Sequence, residues 1–342
     1  MSATMNMTEI YSIYNEGNVS GNGSMGILNI SYTLNQTIDI FTIIILFITM
    51  ISLGCTMEIS KIKTHLLKPK GAAIALLAQF SIMPLTAFCL AKVLQMDPIK
   101  AVTVLICGCC PGGSLSNIFS LAIKGDMNLS IVMTTCSCIA ALGLMPLLLF
   151  IFCQGFPGLE KAVPYRSIIS ALALTLVPCA IGIVINHYKP TYSPMVKKVG
   201  LSILVISSIV VSILSGIAVK DVLWMILTLD VLSVASLMPL IGFMMGYAMS
   251  AICRLSPQCC RTISMETGCQ NIQLCVVILK VAFPPHVIGP MFLFPLIYIT
   301  FQCTEALLLA LCFRCYQTFK PPAEDGGIYD SVDPKPEAVK HP

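Results

Sequence analysis

Ser264-Met-Glu-Thr-Gly-Cys-Gln-Asn271 leads directly into the apolar run Ile272–Phe283, which is twelve residues long. A helix needs about 20 apolar residues to cross a bilayer core, so this run spans only if the polar residues before it enter the membrane as well. Glu266, Gln270 and Asn271 are thereby carried into the hydrocarbon. A carboxylate at that depth costs roughly 3 kcal/mol or more and marks a functional position by default. A second stretch behaves in the same way. Between Lys100 and Lys124 the only candidate span is interrupted by Pro111-Gly112-Gly113 and followed by Ser114, Ser116 and Asn117. Proline and two glycines at mid-membrane break a helix, and the carbonyls so freed must be buried in protein or line a cavity.

The rest of the chain supplies the membrane setting for these two breaks. Of its 342 residues 56% are hydrophobic and 11% charged, and the mean hydropathy is +0.88. A soluble domain carries about 25% charged residues, so the composition reads as a polytopic membrane protein with no room for a separate catalytic domain. Nine apolar segments follow one another, near 38–57, 71–95, 101–124, 128–153, 166–187, 198–220, 222–252, 262–283 and 288–316. Residues 1–37 hold no Lys or Arg but five Asn-x-Ser/Thr sequons, at Asn6, Asn18, Asn22, Asn29 and Asn35. That tail lacks the basic start and apolar core of a signal peptide and reads as extracellular and N-glycosylated.

Nine crossings from an outside start place the C-terminus in the cytoplasm. The expected inner loops hold Lys61, Lys63, Lys68, Lys70, Lys124, Lys189, Lys197, Lys198, Arg254, Arg261, Arg314 and Lys320, twelve basic residues; the outer loops hold Lys100, Lys161, Arg166 and Lys220, four. This asymmetry supports a plasma-membrane protein with its N-terminus extracellular. Residues 38–316 then form the transmembrane domain, and 317–342 a disordered cytoplasmic tail. A net charge of +4 with scattered basic residues excludes a nucleic-acid stripe. Most of the seventeen cysteines lie in apolar runs and read as small buried hydrophobes, while Cys312 and Cys315 near the last helix end are palmitoylation candidates.

The halves of the chain repeat. Ser81-Ile-Met-Pro-Leu-Thr-Ala-Phe88 is matched by Ser236-Leu-Met-Pro-Leu-Ile-Gly-Phe243, and Ser116-Asn117-Ile118 by Gln270-Asn271-Ile272, each pair about 155 residues apart. Paired segments are five crossings apart, so they enter from opposite sides. That is an inverted-topology repeat, common among secondary transporters.

Oxygen atoms converge on the breaks. Ser130, Thr134 and Ser137 follow i, i+4, i+7 on one helix face, and Gln79 is the lone amide of its span. A bland alternative has these hydroxyls bonding their own i−4 carbonyls, and Glu266 reaching out to Arg261. One carboxylate among amides, hydroxyls and carbonyls suits a hard monovalent cation such as sodium, rather than zinc, copper or calcium. No nucleophile elbow, paired metal-ligating histidines or phosphate loop is present, so neither an enzyme nor a cofactor is expected. A seven-helix receptor would have fewer spans and no inverted repeat, and a channel would need a continuous polar pore face.

Four runs carry a resemblance: Ser52-Leu-Gly-Cys-Thr-Met-Glu58, Cys109-Cys-Pro-Gly-Gly-Ser-Leu-Ser-Asn117, Gly125-Asp-Met-Asn-Leu-Ser-Ile-Val-Met-Thr-Thr135 and Ser264–Asn271. They resemble the sodium/bile acid cotransporter family, over about residues 50–319. The runs Val281-Ala-Phe-Pro-Pro285 and Met291-Phe-Leu-Phe-Pro-Leu296 resemble its liver-type members more than its intestinal or steroid-sulfate ones. The resemblance implies an all-α fold of nine spans, with a core domain holding two crossing broken helices and a smaller panel domain. It also implies sodium-coupled uptake of conjugated bile salts, with steroid sulfates or other organic anions as the alternative. One sodium site is thereby assigned to Ser116, Asn117, Ser130, Thr134 and Glu266, and a second to Gln79, Glu266 and Gln270. The sharing of Glu266 rests on the resemblance and not on spacing.

Asn271 and Lys280 are the candidate substrate contacts. The resemblance leads one to expect a neutral polar residue where Lys280 stands, so this lysine is either a boundary anchor or a charge at the outer mouth. Tyr316-Gln-Thr-Phe319 and Tyr329-Asp-Ser-Val332 fit a tyrosine-based sorting pattern.

Overall fold

The computed structural model describes residues 40–56 except 42 and 46, 70–200 except 158 and 160–162, positions 202, 203, 206 and 210, and residues 227–283 and 288–319. Its helices start where the sequence offers a start. Asp97-Pro98 opens one, and Asp126 caps the next long one by accepting from the N–H groups of Asn128 and Leu129. Ser256 accepts from Cys259 N–H ahead of Pro257. The helices are α1 (Ile43–Thr56), α2 (Lys70–Val93), α3 (Pro98–Cys109), α4 (Leu115–Ala122), α5 (Met127–Cys153), α6 (Tyr165–Tyr188), α7 (Leu229–Ile252), α8 (Pro257–Gly268) and α9 (Ile272–Ala282). A 3-10 turn, Gly289–Leu293, leads into α10 (Phe294–Phe319).

Among the described residues there is no β-strand, and five helices are long and apolar enough to cross a membrane: α2, α5, α6, α7 and the stretch Met291–Phe319. The expected third span, 101–124, is not one helix but α3 and α4 with a gap between them. The expected eighth, 262–283, is likewise α8 and α9, and it begins at Pro257 because Ser256-Pro257 is a stronger start than the onset of hydrophobicity. Most of the expected span 198–220 lies outside the described residues. So do residues 1–37 with all five sequons, the tail beyond Phe319 and the Tyr329 motif.

The chain order helix, broken pair, helix occurs twice, as α2, α3/α4, α5 and as α7, α8/α9, α10. Pro84 in α2 and Pro239 in α7 are the prolines of the repeated motif, and the methionines before them, Met83 and Met238, are both fully buried. The distribution of polarity is that of a protein dissolved in lipid. Leu77, Leu85, Leu147, Phe150 and Val177 face outward, while Gln79, Ser130, Thr134 and Glu266 are inside.

Contacts between loops agree with the two ends assigned from charge. Arg261 donates from Nε to Ile123 O and from Nη2 to Lys124 O, both at 2.8 Å, and Arg314 donates to Ala122 O at 2.7 Å. Two guanidinium groups thus cap the C-terminus of α4, where carbonyls lack partners and the helix dipole is negative. At the opposite end Lys100 meets Asp230 at 2.8 Å, and Lys92 donates to Gly155 O beside the Phe156 ring. Lys124, Arg261 and Arg314, all expected in inner loops, thus lie together at one end, and Lys100, expected in an outer loop, lies at the other.

Candidate functional site

α3 stops because Pro111 has no N–H to offer and pushes Cys110 into an extended conformation, φ −63° and ψ 150°. α8 ends at Gly268, and Cys269 is extended too, at φ −96° and ψ 101°. The two extended segments pair. Gly112 and Gln270 form an isolated antiparallel bridge, with Gly113 N–H donating to Cys269 O and Asn271 N–H to Pro111 O, each at 2.9 Å. Backbone groups freed by one break are therefore satisfied by the other, as the interior of a membrane protein demands. The remaining Gln270 N–H donates to Oε1 of Gln302 on α10, also at 2.9 Å.

Side chains gather around this junction. Glu266 is 1% exposed, and its Oε2 accepts from Ser116 Oγ at 2.5 Å and from Thr134 Oγ1 at 3.1 Å. Ser130 Oγ donates to Asn117 Oδ1 at 2.7 Å. The five residues Ser116, Asn117, Ser130, Thr134 and Glu266 thus form one buried cluster drawn from α4, α5 and α8. Beside it, Gln79 Nε2 donates to Gln270 Oε1 and to Cys110 O, both at 3.0 Å. Oε1 of Glu266 and Oε1 of Gln79 are buried oxygens with no hydrogen-bond donor among the described residues. Leaving such acceptors unsatisfied costs about 1–3 kcal/mol each, more for a carboxylate, and a bound cation removes that cost.

The geometry decides between readings that the sequence left open. Glu266 does not reach Arg261, whose guanidinium is committed to the carbonyls of Ile123 and Lys124 and stacks 4.8 Å above the Phe313 ring. The one proton of the Thr134 hydroxyl is shared between Ser130 O at 3.0 Å and Glu266 Oε2 at 3.1 Å, whereas Ser137 only back-bonds, to Thr134 O at 2.9 Å. Asn271 is buried and caps α9, accepting from Leu274 N–H at 3.1 Å; it also borders a small cavity with Met50, Pro111, Leu172, Thr175 and Cys179. Lys280 lies in the last turn of α9. Nine residues of helical rise, about 13 Å, separate it from Asn271, so it does not join the cluster. The amide of Gln302 was not singled out from the sequence. A lone Gln among apolar residues of the last span is its signal there.

Two interrupted helices joined at their breaks, with a carboxylate and uncommitted oxygens at the junction, define a membrane protein of the secondary-transporter class. The Sodium Bile acid symporter family model matches residues 43–223. The hepatic sodium/bile acid cotransporter of Homo sapiens is 55% identical over 289 residues, covering 84% of this chain and 83% of its own. Its Rattus norvegicus counterpart is 53% identical over 296 residues, 86% of this chain and 82% of its own. The sodium-dependent organic anion transporter of Homo sapiens is 37% identical over 294 residues, 86% and 77%. The chain belongs to the sodium/bile acid symporter family.

Proposed function

We propose that the chain is a sodium-coupled symporter that imports conjugated bile salts, taurocholate-like amphipathic anions, across the plasma membrane by alternating access. The observation that carries this is the buried Glu266 carboxylate, held by Ser116 and Thr134 at the junction of two broken helices and facing no basic residue among those described. The relatives named for sodium and bile acid are more than half identical to it over most of the chain. In this reading one sodium ion lies among Ser116, Asn117, Ser130, Thr134 and Glu266. A second lies among Gln79, Glu266 and Gln270, where Gln79 and Gln270 already touch.

The wider architecture belongs to the same reading. It has nine spans in an inverted repeat, a core domain carrying both broken helices, and a panel domain that includes α1 and α6. The N-terminal tail is extracellular and glycosylated, and the C-terminal tail is cytoplasmic. Hydroxyl and amide groups organised by cations would close the junction, so that the anion beside Asn271 binds tightly only when sodium is present. Coupling then follows from differential affinity of the two states. No cofactor enters this scheme, and no enzymatic step.

The identity to an organic anion transporter supports a second reading, in which steroid sulfates are also carried. Uptake of labelled taurocholate and of a labelled steroid sulfate into expressing cells, in sodium and in choline medium, tests both. Sodium-dependent taurocholate uptake supports the first; uptake of the sulfate alone selects the second; equal uptake in choline removes both.

A further inference from the structure

The helix that follows each broken pair lends it polar side chains. After α3/α4, helix α5 presents Ser130, Thr134 and Ser137 at i, i+4 and i+7, all buried. After α8/α9, helix α10 presents Tyr298, Gln302 and Glu305 at the same spacing. Tyr298 and Gln302 are fully buried, and Gln302 already holds the Gln270 N–H. The Tyr298 hydroxyl, Nε2 of Gln302 and Oε2 of Glu305 are buried atoms with no hydrogen-bond partner among the described residues. The mechanism above uses none of the three.

Charge points the same way. The described membrane helices α1 to α10 carry three carboxylates, Asp230, Glu266 and Glu305. Asp230 is neutralised by Lys100 at 2.8 Å, and among the described residues no ion pair holds either of the others. Two sodium ions sharing Glu266 alone would leave a net positive charge in a low-dielectric interior, where an uncompensated charge is expensive. We infer that Glu305, half-buried one turn along α10 from Gln302 and with its Oε2 turned inward, is the second carboxylate of the cation-binding region and sets the affinity for the sodium held at Gln79 and Gln270. It acts through space and through the Gln302–Gln270 link, as a positioning residue.

This rests on the two-sodium reading, and the test separates the two. Sodium activation curves are measured at saturating taurocholate for wild type, Glu305→Gln, Glu305→Asp and Thr304→Ala, each normalised to surface protein. Glu305→Gln is expected to raise the half-saturating sodium concentration roughly fivefold or more, the size of a modest coupling between sites. Glu305→Asp, which keeps the charge, should recover most of that shift. Thr304→Ala, on the exposed face of the same helix, should behave as wild type. Should Glu305→Gln fail to reach the surface, Gln302→Met is read in its place, with a raised sodium requirement expected at unchanged maximal uptake. Unshifted sodium activation in whichever of these two variants is read overturns the assignment, as does an equal shift in Thr304→Ala. A wild-type Hill coefficient of one sinks the two-sodium reading itself, whatever Glu305→Gln does.

Discussion

A Cβ atom on Gly112 would lie 2.2 Å from Oε1 of Glu266. The carboxylate occupies the space that any side chain at this position would need, so the Pro111-Gly112-Gly113 break sets the depth to which Glu266 enters the junction. Gly113 is as constrained, since its Cβ would stand 2.6 Å from Gln270 O.

The first prediction follows from that contact. Gly112→Ala forces either the carboxylate or the paired backbone to move, an overpacking cost of about 1–3 kcal/mol. Maximal sodium-driven uptake should fall by roughly fivefold or more, since each 1.4 kcal/mol is a factor of ten. Gly143→Ala, where nothing lies within 4 Å of the added atom, serves as the control. Equal uptake by the two variants, at equal surface expression, would show that the contact does not constrain Glu266.

A second prediction separates Glu266 from its neighbours. Glu266→Gln keeps the shape and leaves the contacts of Arg261 with Ile123 and Lys124 untouched, so the glycosylated protein should still reach the surface while uptake disappears at any attainable sodium concentration. Asn117→Ala and Gln270→Ala each remove one neutral oxygen donor and should mainly raise the sodium requirement. Retained uptake in Glu266→Gln would remove the carboxylate from the cation site.

Much of this site was legible in the sequence, because a membrane span is an apolar background against which Glu266, Gln270 and Asn117 stand out. The breaks were legible for the same reason, since Pro111-Gly112-Gly113 cannot continue a helix and Ile272–Phe283 cannot cross alone. The mutual pairing of the breaks was not. It depends on two extended segments about 155 residues apart meeting in antiparallel register, and no local signal encodes that meeting. Gln302 escaped for a related reason: its amide matters only because the break leaves the Gln270 N–H without a helical acceptor. α8 starts at Pro257, ahead of the onset of hydrophobicity at 262, because the Ser256 cap and Pro257 decide its first turn.

The third prediction concerns charge movement. One sodium with one bile salt anion is electroneutral, whereas two sodium ions carry one net positive charge inward and gain about 2.3 kcal/mol per 100 mV of membrane potential. Taurocholate should therefore evoke an inward current in voltage-clamped cells, with a sodium Hill coefficient above one. Uptake without current and with a coefficient of one would leave a single ion coupled.

The fourth addresses sidedness. Arg261 and Arg314 meet at the α4 C-terminus, so the two regions share one face of the protein, which the charge count assigns to the cytoplasm. An epitope at the N-terminus should be stained on intact cells, and glycosidase should collapse a heterogeneous band. One placed after Phe319 should need permeabilisation. The reverse pattern would invert the assignment of every loop.

The last prediction concerns Lys280, two residues before the end of α9 and partly exposed. A helical rise of about 3 Å to Ala282 lets a four-carbon stem carry its ammonium to the interface, which is all that a boundary anchor requires. Asn271 caps that helix, so the same ammonium also stands at the outer end of the element whose inner end carries the other candidate substrate contact. A positive charge at a narrow, low-dielectric mouth raises the local concentration of anions, more for a double charge than for a single one. In the mouth arrangement, Lys280→Gln raises the apparent KM for doubly charged sulfated bile salts more than for singly charged ones. Sodium activation stays unchanged, because the lysine lies about 13 Å along α9 from Asn271 and the cation cluster. The difference between substrates should shrink as ionic strength rises at fixed sodium, since exposed charges are screened over about 8–10 Å in physiological salt. A shift equal for both substrates, or none, makes Lys280 an anchor and leaves Asn271 as the remaining candidate substrate contact.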